Sequence, residues 1–130
     1  MPEPTRHVFV YGTLRRGEIN DINRQSAAPS PVFVGEASLA GTLYDLGAYP
    51  GLVLGGAGRV QGEVYAISPA LERRLDEIEE VLPEPTGEYD KREVDVVMQG
   101  QTVRCLVYEI ARSRTAGRRE ISGGDWVRRA

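Results

Sequence analysis

The sequence predicts an α+β domain whose strands form an antiparallel sheet or a small barrel. Two local observations carry this: short β-rich runs alternate with glycines between Val32 and Ile67, and Ser68-Pro69 opens one well-marked helix. A third is scale, because 130 residues suit one domain and can bury a core without disulfides or a metal.

Taken in order, residues 7–11 (His-Val-Phe-Val-Tyr) are a β-branched and aromatic run stopped by Gly12, the pattern of a buried strand ending in a turn. Residues 15–26 are polar, and Ile19 and Ile22 alone do not make an apolar stripe, so this segment reads as a surface excursion. Residues 32–34, 39–46, 52–54 and 60–67 read as separate short strands. Ser68 can cap free amides and Pro69 loses no hydrogen bond at the first helical position, which predicts a helix from Pro69 to about Val81. The Pro- and Gly-containing stretch 82–87 ends it. Residues 89–98 and 101–110 then form two strands joined by a tight turn at Gln99-Gly100. In the tail, 111–130, arginines surround Ser122-Gly123-Gly124-Asp125-Trp126; Trp126 is expected to dock on the body and the rest to be mobile.

Composition removes several classes of function. With 16 basic against 19 acidic residues the net charge is −3, which argues against a general nucleic-acid binder, and the tail arginines are interrupted and poor in aromatics. No apolar run reaches the twenty or so residues of a membrane span, and the N-terminal residues lack the apolar centre of a secretory signal. A soluble, cytoplasmic protein is the expectation; oligomeric state is not legible. Cys105 and His7 are the sole cysteine and histidine, so an internal disulfide and a Cys/His metal cluster are impossible. Any histidine-based catalytic pair would have to use His7, which at the strand's entry reads as a surface residue. Cys105 alternates with Val103 and Val107 and reads as a buried strand thiol.

The helix carries an acidic cluster that its own periodicity sorts. Leu71, Leu75, Ile78 and Leu82 fall in one stripe; Glu79 lies roughly 70° from its centre, whereas Asp76, Glu77 and Glu80 lie roughly 130° or more away. On this geometry only Glu79 borders the core. All four sit in the C-terminal half, where the macrodipole disfavours each by about 0.3–1 kcal/mol, so local stability does not account for them. A carboxyl at an apolar edge is desolvated, which suits a proton shuttle near neutral pH; a solvated acidic face is the plainer alternative. In the Tyr11-Gly12-Thr13-Leu14 loop, a glycine after a strand lets backbone amides approach a carboxylate or a developing oxyanion, and the same residues also suit a simple β-turn. Tyr49 and Tyr89 can line such a pocket or pack into the core.

Five segments occur in order: Val8-Phe9-Val10-Tyr11-Gly12-Thr13-Leu14-Arg15-Arg16-Gly17, Leu46-Gly47-Ala48-Tyr49-Pro50-Gly51, Gly62-Glu63-Val64-Tyr65, Leu75-Asp76-Glu77-Ile78-Glu79 and Gly87-Glu88-Tyr89. Together the chain resembles the gamma-glutamylcyclotransferase-like family from residue 8 to about 110. The resemblance implies a small mixed β-barrel flanked by a few helices, in a single domain over residues 1–130. It implies a loop, Tyr11, Gly12, Thr13 and Leu14, whose amides hold the gamma-glutamyl part of a small-molecule substrate. It gives Glu79 the handling of protons, with no cofactor, metal, nucleic acid or membrane involved. Intramolecular attack of the substrate's alpha-amino group would then yield 5-oxoproline and a free amine. A noncatalytic module of the same fold that binds a small carboxylate is the alternative. Two departures touch the pocket rim: Glu80 stands where the family often has Gly, and residues 83–87 are longer and richer in proline.

Overall fold

Strand β1 (Arg6–Val10) lies near the middle of a six-stranded mixed sheet because its alternating side chains are apolar on both faces. In the computed structural model, residues 6–18, 21–24, 30–47, 49–78 and 89–127 are described. Val8 and Val10 enter one buried cluster with the helix, and Phe9 and Tyr11 enter a second on the opposite face. The other strands are β2 (Val32–Asp45), β3 (Pro50–Ile67), β4 (Tyr89–Met98), β5 (Gln101–Ile110) and β6 (Arg119–Glu120), in the order β4-β5-β1-β3-β2-β6. β1 is antiparallel to β3, with Val10 opposite Glu63, and parallel to β5, with Val8 opposite Leu106. The sheet curls into a half-barrel: a Cβ added to Gly35 on β2 would meet Met98 Cε of β4 at 2.7 Å. His7 lies within β1 and is half-buried, whereas a surface position was expected.

The four short strands expected between Val32 and Ile67 are two long ones. Pairing of β2 with β3 jumps from Ala40–Arg59 to Gly41–Leu54, leaving residues 55–58 exposed and unpaired with β2. Gly55 and Gly56 accept this through φ of +95° and +84°. At Gly41 a Cβ would sit 2.6 Å from Leu52 Cδ1 and 2.9 Å from the Val53 carbonyl. Gly41 therefore permits close approach within the ladder, and Gly55 and Gly56 permit the bend that a local pattern reads as a break.

Helix α1 (Pro69–Ile78) begins as its sequence dictates, with Ser68 Oγ accepting the Leu71 amide at 3.1 Å. Leu71 and Leu75 are fully buried. Residues 79–82, the last of the expected helix and stripe, lie outside the described residues. The β4–β5 hairpin has the expected bounds, and Gln99 (φ 50°) and Gly100 (φ 77°) both take the left-handed conformation that a two-residue primed turn demands. Among the described residues no helix is long and apolar enough to cross a membrane.

Residues after Gly12 are not simply a surface excursion. Arg15, Asp21 and Ile22 are buried, Ile22 donates its amide to the Leu14 carbonyl at 2.8 Å, and residues Ile22–Arg24 form a 3-10 turn. The tail returns to the body: β6 pairs with Tyr44 and Asp45, and Trp126 is buried as expected. Gly124 (φ +64°) passes so close to the Arg59 carbonyl that no Cβ fits there.

Cys105 is 1% exposed, and burial together with the charge of Asp95 pushes its thiol up to about 11. The folded protein is expected to resist alkylation by iodoacetamide at pH 8 and to react fully in denaturant. Rapid modification of native protein, read by mass spectrometry, would contradict this burial.

Candidate functional site

The loop after β1 closes as a β-turn, with the Arg15 amide donating to the Gly12 carbonyl at 3.0 Å. The central amides of such a turn, those of Thr13 and Leu14, take no part in its own hydrogen bond. Leu14 anchors the turn in the core, Thr13 is half-buried, and Tyr11 is buried with its hydroxyl donating to the Tyr108 carbonyl and accepting the Leu52 amide at 3.4 Å. Gly12 is pressed against Pro50: a Cβ there would meet Pro50 Cγ at 2.6 Å and Cδ at 2.8 Å.

Pro50 in turn is held by Tyr89, whose hydroxyl donates to the Pro50 carbonyl at 2.9 Å. Tyr89 is buried, and the ring of the exposed Tyr49 lies 6.4 Å from its own, tilted by 47°. Three segments far apart in sequence thus meet at one end of the sheet. Of the two tyrosines, Tyr89 packs and positions, and Tyr49 presents a ring to the surface.

Beneath the turn lies a buried polar cluster that no local sequence pattern singles out as a whole. Glu63 of β3, 7% exposed, accepts from Arg15 Nε at 3.1 Å, the Arg16 amide at 3.0 Å and the Tyr65 hydroxyl at 2.9 Å. Arg15 Nη1 also reaches Asp125 Oδ1 at 2.7 Å, and Trp126 Nε1 donates to Glu18 at 3.0 Å. The C-terminal segment therefore holds the loop from outside while β3 holds it from below. Burial raises the Tyr65 hydroxyl above its ordinary range; the Asn23 side chain opposes this and Glu63 reinforces it. One signal was available: Glu63 shares strand parity with Tyr65 and Ile67, and a carboxylate on a buried face implies a partner.

On the helix, the expectation that only Glu79 borders the core fails for Asp76. Asp76 is 6% exposed, accepting from the Tyr108 hydroxyl at 2.7 Å and from Lys91 Nζ at 3.0 Å. Angle from the leucine stripe misjudged it because β4 and β5 supply groups that satisfy a carboxylate on that flank of α1. Lys91 also bonds Glu72, which Arg6 approaches at 3.4 Å. Burial pulls the Lys91 ammonium down, yet its bonds and charge contacts with Glu72 and Asp76 outweigh that and leave it above its ordinary value. Glu79, the expected proton carrier, lies outside the described residues, one position beyond Ile78.

Known proteins resemble this chain in sequence and fold. An AIG2-like protein of Mus musculus superposes with a TM-score of 0.72 at 30% identity, covering 84% of this chain and 79% of that one. A Vibrio cholerae protein provisionally named a gamma-glutamylcyclotransferase is 47% identical over 74 residues, 57% of this chain and 62% of the relative. The gamma-L-glutamyl-butirosin B gamma-glutamyl cyclotransferase of Niallia circulans is 44% identical over 75 residues, 57% of this chain and 46% of its own length. The chain thus matches about half to three-fifths of the length of these curated relatives. A family model matches residues 8–128, nearly the whole sequence, and the chain belongs to the family described as gamma-glutamyl cyclotransferase, AIG2-like.

Proposed function

We propose that this protein is a cyclotransferase that cleaves a gamma-glutamyl amide or peptide, releasing 5-oxoproline and a free amine. The observation that carries the reading is the meeting of the Gly12 turn, Pro50 and Tyr89 at the end of β1, in a chain of this family. In this reading the amides of residues 12–14 grip the gamma-glutamyl group, and Tyr49 borders it.

The substrate's alpha-amino nitrogen attacks its own gamma-carbonyl carbon, a C–N bond forms, and the five-membered ring closes. An alpha-amino group with a pKa near 8 is mostly protonated at neutral pH, so a base must take its proton. Glu79 takes it and returns it to the departing amide nitrogen, which leaves poorly as an anion. The bond from the gamma-carbon to that nitrogen breaks, and the second proton shed by the attacking nitrogen leaves with the amine in its ammonium form. No water is consumed. Because attack is intramolecular, holding the glutamyl chain folded removes much of the entropic barrier, and turn amides aimed at the oxyanion lower it further. The protein works on a small molecule without a cofactor, in the cytoplasm.

Incubation with gamma-glutamyl amines, dipeptides and glutathione, followed by assay for 5-oxoproline, tests the reading. Release of 5-oxoproline with stoichiometric amine is expected; tight binding without turnover would assign a noncatalytic carboxylate-binding module instead. For Gly12→Ala, the added methyl must displace the turn from Pro50, and kcat/KM is expected to fall by about tenfold to a hundredfold in steady-state kinetics.

A further inference from the structure

Tyr108 of β5 reaches both halves of the candidate site. Its backbone carbonyl accepts the hydroxyl of Tyr11, the residue before Gly12, and its own hydroxyl donates to Asp76 in the last described turn of α1. Tyr108 and Asp76 are 3% and 6% exposed, so turning α1 about its axis means breaking a hydrogen bond away from water. Lys91 holds the other oxygen of Asp76 at 3.0 Å, from the neighbouring strand β4. With one oxygen on Tyr108 and the other on Lys91, Asp76 is engaged as an anchor. It lies three residues before Glu79 in the sequence. The Tyr108–Asp76 bond therefore orients the last described turn of α1.

We infer that Tyr108 and Asp76 are positioning residues: the buried bond between them, backed by Lys91, holds the end of α1 relative to the Tyr11–Leu14 turn, and so aligns proton transfer with the held substrate. This rests on the reading in which Glu79 handles protons. The alignment matters because a reacting group displaced by an ångström costs rate while leaving ground-state contacts in place. The expected signature is a loss in kcat with KM little changed.

The test compares Tyr108→Phe, which removes one hydroxyl and keeps the ring, with Asp76→Asn, which keeps an acceptor for that hydroxyl, and with Asp76→Ala. Rates are measured on a gamma-glutamyl amide that the unmodified protein turns over, with thermal unfolding to show that each variant is folded at the assay temperature. Tyr108→Phe is expected to lower kcat by about tenfold to a hundredfold with KM within about twofold. Asp76→Asn should retain more activity than Asp76→Ala. In a Glu79→Gln background, Tyr108→Phe should cost nothing further, since groups acting through one another are not additive. Unchanged kcat in Tyr108→Phe, or losses that multiply in the double variant, overturns the inference.

A fully active Glu79→Gln variant overturns the functional reading separately. A readout independent of turnover completes the test: in 15N-labelled protein, Tyr108→Phe should shift the amide resonances of residues 11–14 and 76–78 together. Shifts confined to the neighbours of Tyr108 on β5 overturn the inference even where no substrate is processed.

Discussion

Replacing Glu79 by Gln is expected to lower kcat by about 10²–10⁴, the usual contribution of a general acid-base group, while leaving the fold intact. Gln matches Glu in shape but does not take up a proton at neutral pH, so under the proposed mechanism the substrate amine would stay mostly protonated and the leaving nitrogen would go unassisted. Raising the pH toward 9 supplies free amine and should recover part of the rate; protonation of the leaving group would still be missing. Glu79→Asp keeps the chemistry on a shorter arm and should fall between the two. Assays of 5-oxoproline release, paired with circular dichroism to verify folding, decide the matter. A Gln variant as fast as the original would end the assignment of Glu79.

The largest expected loss of stability follows Glu63→Ala. That change leaves the buried Arg15 guanidinium without one of its two carboxylate partners and removes the acceptor of the Arg16 amide and the Tyr65 hydroxyl. Breaking a buried pair from one side costs about 3–5 kcal/mol, a large part of the 5–15 kcal/mol that typically holds a domain together. Glu63→Gln, which retains an acceptor oxygen, should cost less. Urea unfolding midpoints measure both, and a shift under about 1 kcal/mol for the Ala variant would show that the cluster is not a support. Since Arg15 links the turn to β3 and to Asp125, the Ala variant should also lose activity at temperatures where it remains folded.

Much of the fold was legible because its cues are local. Ser68-Pro69 capped α1, and residues 89–98 and 101–110 paired as expected around Gln99-Gly100. The alternation of Cys105 with Val103 and Val107 marked a buried thiol. Errors arose where one residue type serves two purposes. Gly35 looked like the end of a strand, but its missing side chain makes room for Met98 while β2 continues through it. Asp76 looked solvated on a helical projection, which contains no information about the hairpin packed against that flank.

By itself the sequence determined the family through the order of five short segments, and it determined the turn that follows β1 and the start and apolar face of α1, since each of these cues is read within a few neighbouring residues. Only the tertiary structure decided which polar groups are buried together. Arg15 meets Glu63 and Asp125 across separations of 48 and 110 residues, and Tyr108 meets Asp76 across 32. Desolvated hydrogen bonds of this kind are set by the curl of the sheet, which brings β3, β5 and the C-terminal segment against the loop and the helix, and no pattern within a single segment encodes that approach.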